Sequence, residues 1–208
     1  MQQLVLASAS PRRAELLRGA GIQFEVLAAN VDERIYPEEA PETYVRRVAE
    51  NKARAVRLVA GGWPVLAADT VVIVGSAVLG KPADAADARR MLRMLSGREH
   101  QVMTGVALAS SGGATPSASV RAPDNSDSAG DLMTRVATTI VEFAPLLSED
   151  IDWYVATGEP MDKAGAYAIQ GLASRYVTRI DGSYSNVVGL PVALVWEMLV
   201  ASGVCSKR

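Results

Sequence analysis

Apolar residues follow two patterns along this chain. One is an unbroken run, VLAADTVVIV at Val65–Val74, interrupted only by Asp69 and Thr70. It is too apolar for a half-solvated strand and predicts an interior one. Gly75-Ser76 follows as a tight turn, Ala77–Leu79 as a short returning strand, and Gly80-Lys81-Pro82 as an exit carrying a positive charge. The other pattern is periodic. From 41 to 60, Val45, Val48, Ala49, Val56 and Val59 recur mostly at helical spacing, with Arg46, Arg47, Arg54 and Arg57 mainly on the other face. Lys52 falls on the apolar stripe, where a lysine either snorkels to the rim or points into a cleft.

The remaining elements read in order. Residues 3–7 predict a first strand, 8–10 a turn of small residues, and Pro11–Gly19 a helix with Ser10 as its cap. Residues 23–27 predict a second strand, and 30–34 a polar loop holding Asp32 and Glu33. A helix at 84–95 takes Asp84 as cap, with Asp87 reaching back and Gly97 ending it. Strands are expected at 101–109, Leu132–Phe143 and 177–180. Helices are expected at 148–157, stopped by Gly158, and at 191–201 with Val192, Val195, Trp196 and Leu199 turned inward. Residues 110–131, rich in Ser, Gly, Ala, Pro and Asp, read as a mobile insertion joining two paired strands. Residues 158–171 lack periodicity and set Asp162, Lys163, Tyr167 and Gln170 among small residues, as a binding loop or an irregular structural one does.

Composition narrows the function. With 208 residues, 49% hydrophobic and 21% charged, the chain can bury a core and is expected to form one domain. A formal net charge of -2 gives no basic footprint, so neither nucleic acid nor membrane is expected as a partner, and any phosphate site must be local. No apolar stretch approaches the roughly 20 residues of a membrane span, and residues 4–9 are too short and lack the preceding charge of a secretory signal. A cytoplasmic location is expected. The single Cys205 cannot form an internal disulfide, and His100 is the only histidine. These counts exclude ordinary zinc sites and leave oxygen ligands for a hard divalent cation, Mg2+ or Mn2+.

Asp69 is the residue this composition makes conspicuous. An unpaired carboxylate inside an apolar strand costs several kcal/mol, so it needs a cation or backbone donors; a metal-binding or catalytic acid is the preferred reading. Arg12 and Arg13 sit in the first turn of a helix, where the dipole disfavours cations and backbone amides are free; with Ser8 and Ser10 they suggest an anion cradle. His100, at a strand start, reads as a structural hydrogen-bonder rather than a catalyst. Gly75 to Lys81 matches the G-x-x-x-x-G-K phosphate-loop pattern, but Pro82 stands where a magnesium-binding hydroxyl belongs, and the residues between are strand formers.

Taken together, SASPRR (8–13), Glu33, ENKA (50–53), AADTVV (67–72), LGKP (79–82), GREHQVMTGV (97–106), DKAGAYAIQG (162–171) and SNVVGLP (185–191) resemble the Maf family of nucleoside triphosphate pyrophosphatases over nearly the whole chain outside 110–131. The resemblance implies an α/β (α+β) fold shared with inosine triphosphate pyrophosphatases: an elongated mixed sheet flanked by helices, with two lobes around a central cleft, often dimeric. It implies cleavage of a triphosphate between its α and β phosphates, with Asp69 as proton acceptor and Arg12, Thr70 and Gln170 tied to base choice. Arg12 and the DKAGAYAIQG loop are similar to the branch acting on dTTP and UTP, from which Ala168 and Leu172-Ala173 depart.

The residues themselves suit that chemistry. Arg12, Arg13, Lys52 and Lys81 would offset triphosphate charge from separate elements, joined by Ser8, Ser10 and Lys163. Glu33 and Asp69 would hold the metal and position water. Two rival readings fit the same residues. One is a phosphotransferase using Gly75 to Lys81; the other is a nucleotide-sensing regulator, since members of the family have been linked to septum formation.

Overall fold

The computed structural model describes residues 4–110 and 132–206. The unbroken apolar run is strand β3 (Val65–Val74), which lies inside a seven-stranded mixed sheet. On one edge it runs parallel to β1 (Leu4–Leu6), which pairs in turn with β2 (Phe24–Val26). From its other edge β5 (Glu99–Ala109), β6 (Leu132–Phe143) and β7 (Val177–Asp181) extend the sheet in antiparallel order. After Gly75, whose φ of 57° suits a tight turn, β4 (Ala77–Leu79) folds back on the far end of β3.

Alternation along β3 decides which way each side chain points. Val65, Ala67, Val71 and Ile73 face helix α2 (Pro41–Arg57) and pack on Val45, Val48, Ala49, Ala53 and Val56. Leu66 and Ala68 face the opposite side, against Leu17 of α1 (Pro11–Gly19) and Val195 and Leu199 of α6 (Val192–Ala201). Val72 and Val74 continue that side against Leu92 of α3 (Ala85–Leu95) and Tyr154 of α4 (Ser148–Ala156). Each such Val or Leu contributes roughly 1.5–3 kcal/mol on burial. With both rows committed, Asp69 must face α2 and Thr70 the other layer.

β1 accompanies β3 only at Val65 and Leu66, with the Ala7 N–H donating to the Leu66 carbonyl at 2.8 Å, and β4 joins at Val72. Between them, among the described residues, positions 68–71 of β3 have no strand on that edge. The notch lies where the sheet passes from parallel to antiparallel, the kind of break at which open α/β sheets receive ligands.

The expected mixed sheet flanked by helices is present, with local departures. α2 stops at Arg57, so Leu58 and Val59 are 86% and 69% exposed instead of continuing the stripe. Gly61 and Gly62, both at positive φ, turn the chain there toward β3. In α6 Trp196 points outward, 39% exposed, and Met198 takes the inward place. Ser10 makes no side-chain cap; its N–H instead donates to the Ser8 hydroxyl at 3.2 Å. The 3-10 turns at Glu159–Asp162 and Ala164–Ala166 occupy the stretch without periodicity, and a third at Leu172–Tyr176 and a short helix, α5 (Tyr184–Val188), lie where the sequence predicts no element. The expected insertion at 110–131 lies, apart from Ser110, outside the described residues; the β5–β6 ladder on either side runs out to Ala109 opposite Leu132. Among the described residues no helix is long and apolar enough to cross a membrane.

Candidate active site

Asp69 is buried in the notch, and α2 delivers its partner. The stripe that packs α2 on the sheet carries Lys52 inward, 7% exposed, with Nζ 2.7 Å from Asp69 Oδ1. The same ammonium lies 2.8 Å from Glu33 Oε1. Lys52 therefore points into the notch rather than snorkelling to the rim. Two carboxylates from separate elements converge on one cation, with Glu33 on the solvent side. Breaking so buried a pair by removing one partner costs about 3–5 kcal/mol, because a charge is left without compensation.

Glu33 stands in the loop between β2 and α2, where the Tyr44 hydroxyl donates to its backbone carbonyl at 2.9 Å. Burial, with Asp69 and Glu33 nearby, raises the Tyr44 phenol above its ordinary pKa, so it remains a donor. Tyr44 went unread in the sequence although its spacing from Lys52, eight residues, places both on one helix face.

On the opposite face of β3, Arg13 organises the notch floor. Its Nε donates to the Gly189 carbonyl at 2.8 Å, Nη1 to the Ser8 hydroxyl at 3.1 Å and Nη2 to the Thr70 hydroxyl at 3.1 Å. Thr70 and Thr104 hydroxyls lie 2.9 Å apart beneath it. Burial pushes the Arg13 pKa down while Asp69 and Glu33 pull it up, and the guanidinium stays charged. Arg12 turns the other way, its Nη1 3.0 Å from Asp162 Oδ2. Lys163 also pairs with Asp162 and donates to the Glu159 carbonyl at 2.7 Å. Burial raises the Asp162 pKa, but the bonds from Lys163 and Arg12 outweigh it and hold the carboxyl below its ordinary range. Ser8, Arg13 and Thr70 thus form one hydrogen-bonded set and Glu33, Lys52 and Asp69 another, on the two faces of β3 and near enough for the carboxylates to act on the Arg13 charge, while Lys81 stands exposed beyond the end of β4.

A profile described as Maf-like protein matches residues 3–202. The chain belongs to this family. It is 52% identical over 201 residues to a dTTP/UTP pyrophosphatase of Anaeromyxobacter sp., covering 97% of this chain and 90% of that one. A dTTP/UTP pyrophosphatase of Symbiobacterium thermophilum is 50% identical over 203 residues, covering 98% and 95%. Among solved structures, the Staphylococcus aureus Ham1 protein superposes with a TM-score of 0.51 at 15% identity, covering 95% of this chain and 98% of that chain. At that identity the likeness shows the fold, an open mixed sheet.

In this Maf-like chain Gln170 does not join the cluster around Asp69. It is exposed and lines a shallow hollow of about 400 Å3 with Glu15, Leu16, Gly19, Ala20 and Val192. Ala168 fits its loop without a left-handed backbone, whereas Ala166 holds φ 58°, costing roughly 1–2 kcal/mol for a residue with a side chain. Such strain collects at functional loops. Beside it a Cβ on Gly165 would meet Val72 Cγ2 at 2.8 Å.

Gly75 to Lys81 is a β-hairpin here, and α3 begins only at Ala85, so no loop-to-helix phosphate cradle forms. His100 is 2% exposed, its Nε2 2.9 Å from the Tyr167 hydroxyl, and its ring meets Phe143 and Tyr167 edge-on. It is a core residue, as expected. The Gly189 carbonyl and the Asp162 clasp on Arg12 had no readable signal, since both depend on residues over 140 positions apart meeting in space.

Proposed function

We propose that this Maf-like chain hydrolyses nucleoside triphosphates, dTTP and UTP foremost, to monophosphate and pyrophosphate, removing non-canonical nucleotides among them. The observation that carries this reading is the convergence of Asp69 and Glu33 on one cation at the open edge of β3. The activity named for relatives at 50–52% identity supports it.

The donor set fits a hard divalent cation: two carboxylates from separate elements, oxygen ligands only, with the Glu33 side chain 45% exposed to solvent. Glu33 and Asp69 would hold Mg2+ or Mn2+, which supplies charge neutralisation and a more acidic bound water. Lys52 takes Asp69 Oδ1, leaving Oδ2 outside that ion pair. Asp69 accepts the proton as the water oxygen bonds to the α-phosphorus and the bond to the α–β bridging oxygen breaks, releasing pyrophosphate. Lys52, Lys81, Arg12 and Arg13 offset the phosphate charge, with Ser8, Ser10 and Lys163 as further contacts. Arg12 reaches phosphate by exchanging Asp162 for it. Thr70, Arg12 and Gln170 set base preference, the Gln170 amide matching a pyrimidine carbonyl and N3–H together. A single domain with one lobe on each side of the notch, acting as a cytoplasmic homodimer, completes the reading. The buried free thiol of Cys205 suits a reducing compartment, and the dimer rests on the family resemblance.

A panel of canonical and modified triphosphates, assayed with Mg2+ or Mn2+ for monophosphate and pyrophosphate, tests it. Turnover of dTTP and UTP is expected. A phosphorylated acceptor would indicate a phosphotransferase, and binding without turnover a nucleotide-sensing regulator. Faster cleavage of 7-methyl-GTP would overturn the base preference alone.

A further inference from the structure

Gln170 sits in a loop whose conformation is fixed from below by two residues that no part of the proposed mechanism uses. The Ala168 carbonyl accepts from the Gly171 N–H at 3.1 Å, closing a tight turn with Gln170 at its third position. Both flanks of that turn end on one hub, the buried Tyr154 and the half-buried Glu159. The Ala168 N–H donates to the Tyr154 hydroxyl at 3.1 Å, and that hydroxyl donates to Glu159 Oε1 at 2.8 Å. The Glu159 carboxylate also accepts the Leu172 N–H, at 3.0 and 3.1 Å to its two oxygens. A Cβ on Gly171 would lie 2.4 Å from both carboxylate oxygens, so only glycine lets the carboxylate press against the turn.

From this geometry we infer that Glu159 and Tyr154 are positioning residues for base selection, holding Gln170 by gripping the residue two before it and the residue two after. The inference rests on the reading of Gln170 as a base contact. Tyr154 is fully buried, and burial and the Glu159 charge hold its hydroxyl as a phenol, able to donate and accept at once. The Glu159 carbonyl is meanwhile the acceptor for Lys163, so the same residue links the turn to the Asp162 clasp on Arg12. A charge-assisted grip of this kind is stronger than neutral hydrogen bonds and fixes a turn that the small residues around it would leave free.

The experiment compares Glu159→Gln, Tyr154→Phe and Gln170→Ala. For each, kcat/KM is measured for dTTP and for dCTP, whose base mismatches a glutamine amide held in the one orientation that accepts from N3–H and donates to the neighbouring carbonyl, alongside a melting curve. Glu159→Gln leaves the phenol proton without its carboxylate, and Tyr154→Phe removes the hub hydroxyl while keeping the ring. Each is expected to lower the dTTP-to-dCTP ratio by about tenfold, chiefly through the KM for dTTP, with dCTP use changed far less. A merely structural role would depress both substrates alike. If Gln170→Ala lowers the ratio while the folded hub variants keep it, the positioning role is overturned and the base reading stands. If Gln170→Ala leaves the ratio unchanged, the base reading fails and the positioning role with it. Should Tyr154→Phe not fold, Glu159→Gln at the half-buried position decides the matter by itself.

Discussion

Asp69 stands directly opposite Gly105 in the antiparallel β3–β5 register, so both face the layer of α2. A Cβ on Gly105 would lie 2.3 Å from the Val45 carbonyl oxygen. The bare backbone lets α2 descend onto the sheet there, and two turns later the helix sets Lys52 against Asp69. Gly105→Ala must therefore lift the helix. The overpacking costs about 1–3 kcal/mol, a fall in Tm of several degrees, and the displaced Lys52 should lower kcat at least tenfold. Melting and steady-state kinetics on one preparation check this; wild-type values in both would show that α2 is not held by that contact.

Asp69→Asn keeps the volume but removes the charge facing Lys52. Glu33 still partners the ammonium at 2.8 Å, so the variant should fold, melting several degrees lower. Turnover should fall by several orders of magnitude, since proton acceptor and metal ligand go together. Near-normal hydrolysis by the folded variant would sink the assignment.

Much of this site could be read from residue order because it depends on single buried charges in apolar surroundings. Asp69 inside β3 and Lys52 on the α2 stripe each break a pattern, and each break demands a partner. The long strands β3, β5 and β6 and the longer helices are equally legible, since their patterns span ten residues or so. α5 has only five residues and no room for a period, though Ser183, whose hydroxyl accepts the Asn186 N–H at 3.3 Å, and Gly189 at φ 127° mark its ends. Trp196 was misplaced because a large apolar side chain on a nearly all-apolar helix does not by itself say which face is inward. The Glu159 hub left no trace in the sequence, because it answers backbone N–H groups that any residue supplies.

His100 sets a pH dependence of stability. Burial lowers its pKa to about 4 from an ordinary 6.5, so it stays neutral in the fold. Between those values the unfolded chain binds the proton and the folded one does not, so stability falls as pH drops from 6.5 toward 4 and levels off below. The full loss is about 3 kcal/mol. His100→Gln, which retains a partner for the Tyr167 hydroxyl, should melt lower at pH 7 but lose less between pH 6.5 and 4 than the wild type. Parallel slopes would show that His100 takes no part in acid sensitivity.

The loop that carries Glu33 is gathered by one guanidinium. Arg47 of α2 donates Nη2 to the Arg34 carbonyl at 2.9 Å and pairs Nε with Glu39 Oε1 at 2.6 Å. Its Cζ lies over the Tyr36 ring, 4.0 Å from the centre. Fork and stacking together fix three residues that follow Glu33, with the Tyr44 hydroxyl holding Glu33 itself. Arg47→Lys keeps the charge but loses the fork and the planar stack. The partial exposure of this cluster limits the cost in Tm to a few degrees, and Asp69 and Lys52 remain in place. Glu33 alone becomes poorly held. If it is a metal ligand, the Mg2+ concentration for half-maximal turnover should rise several-fold while kcat at saturating Mg2+ stays within a few-fold of wild type. An unchanged Mg2+ requirement, with the loop shown to be loosened by faster proteolysis, would mean that Glu33 contributes only its ion pair with Lys52.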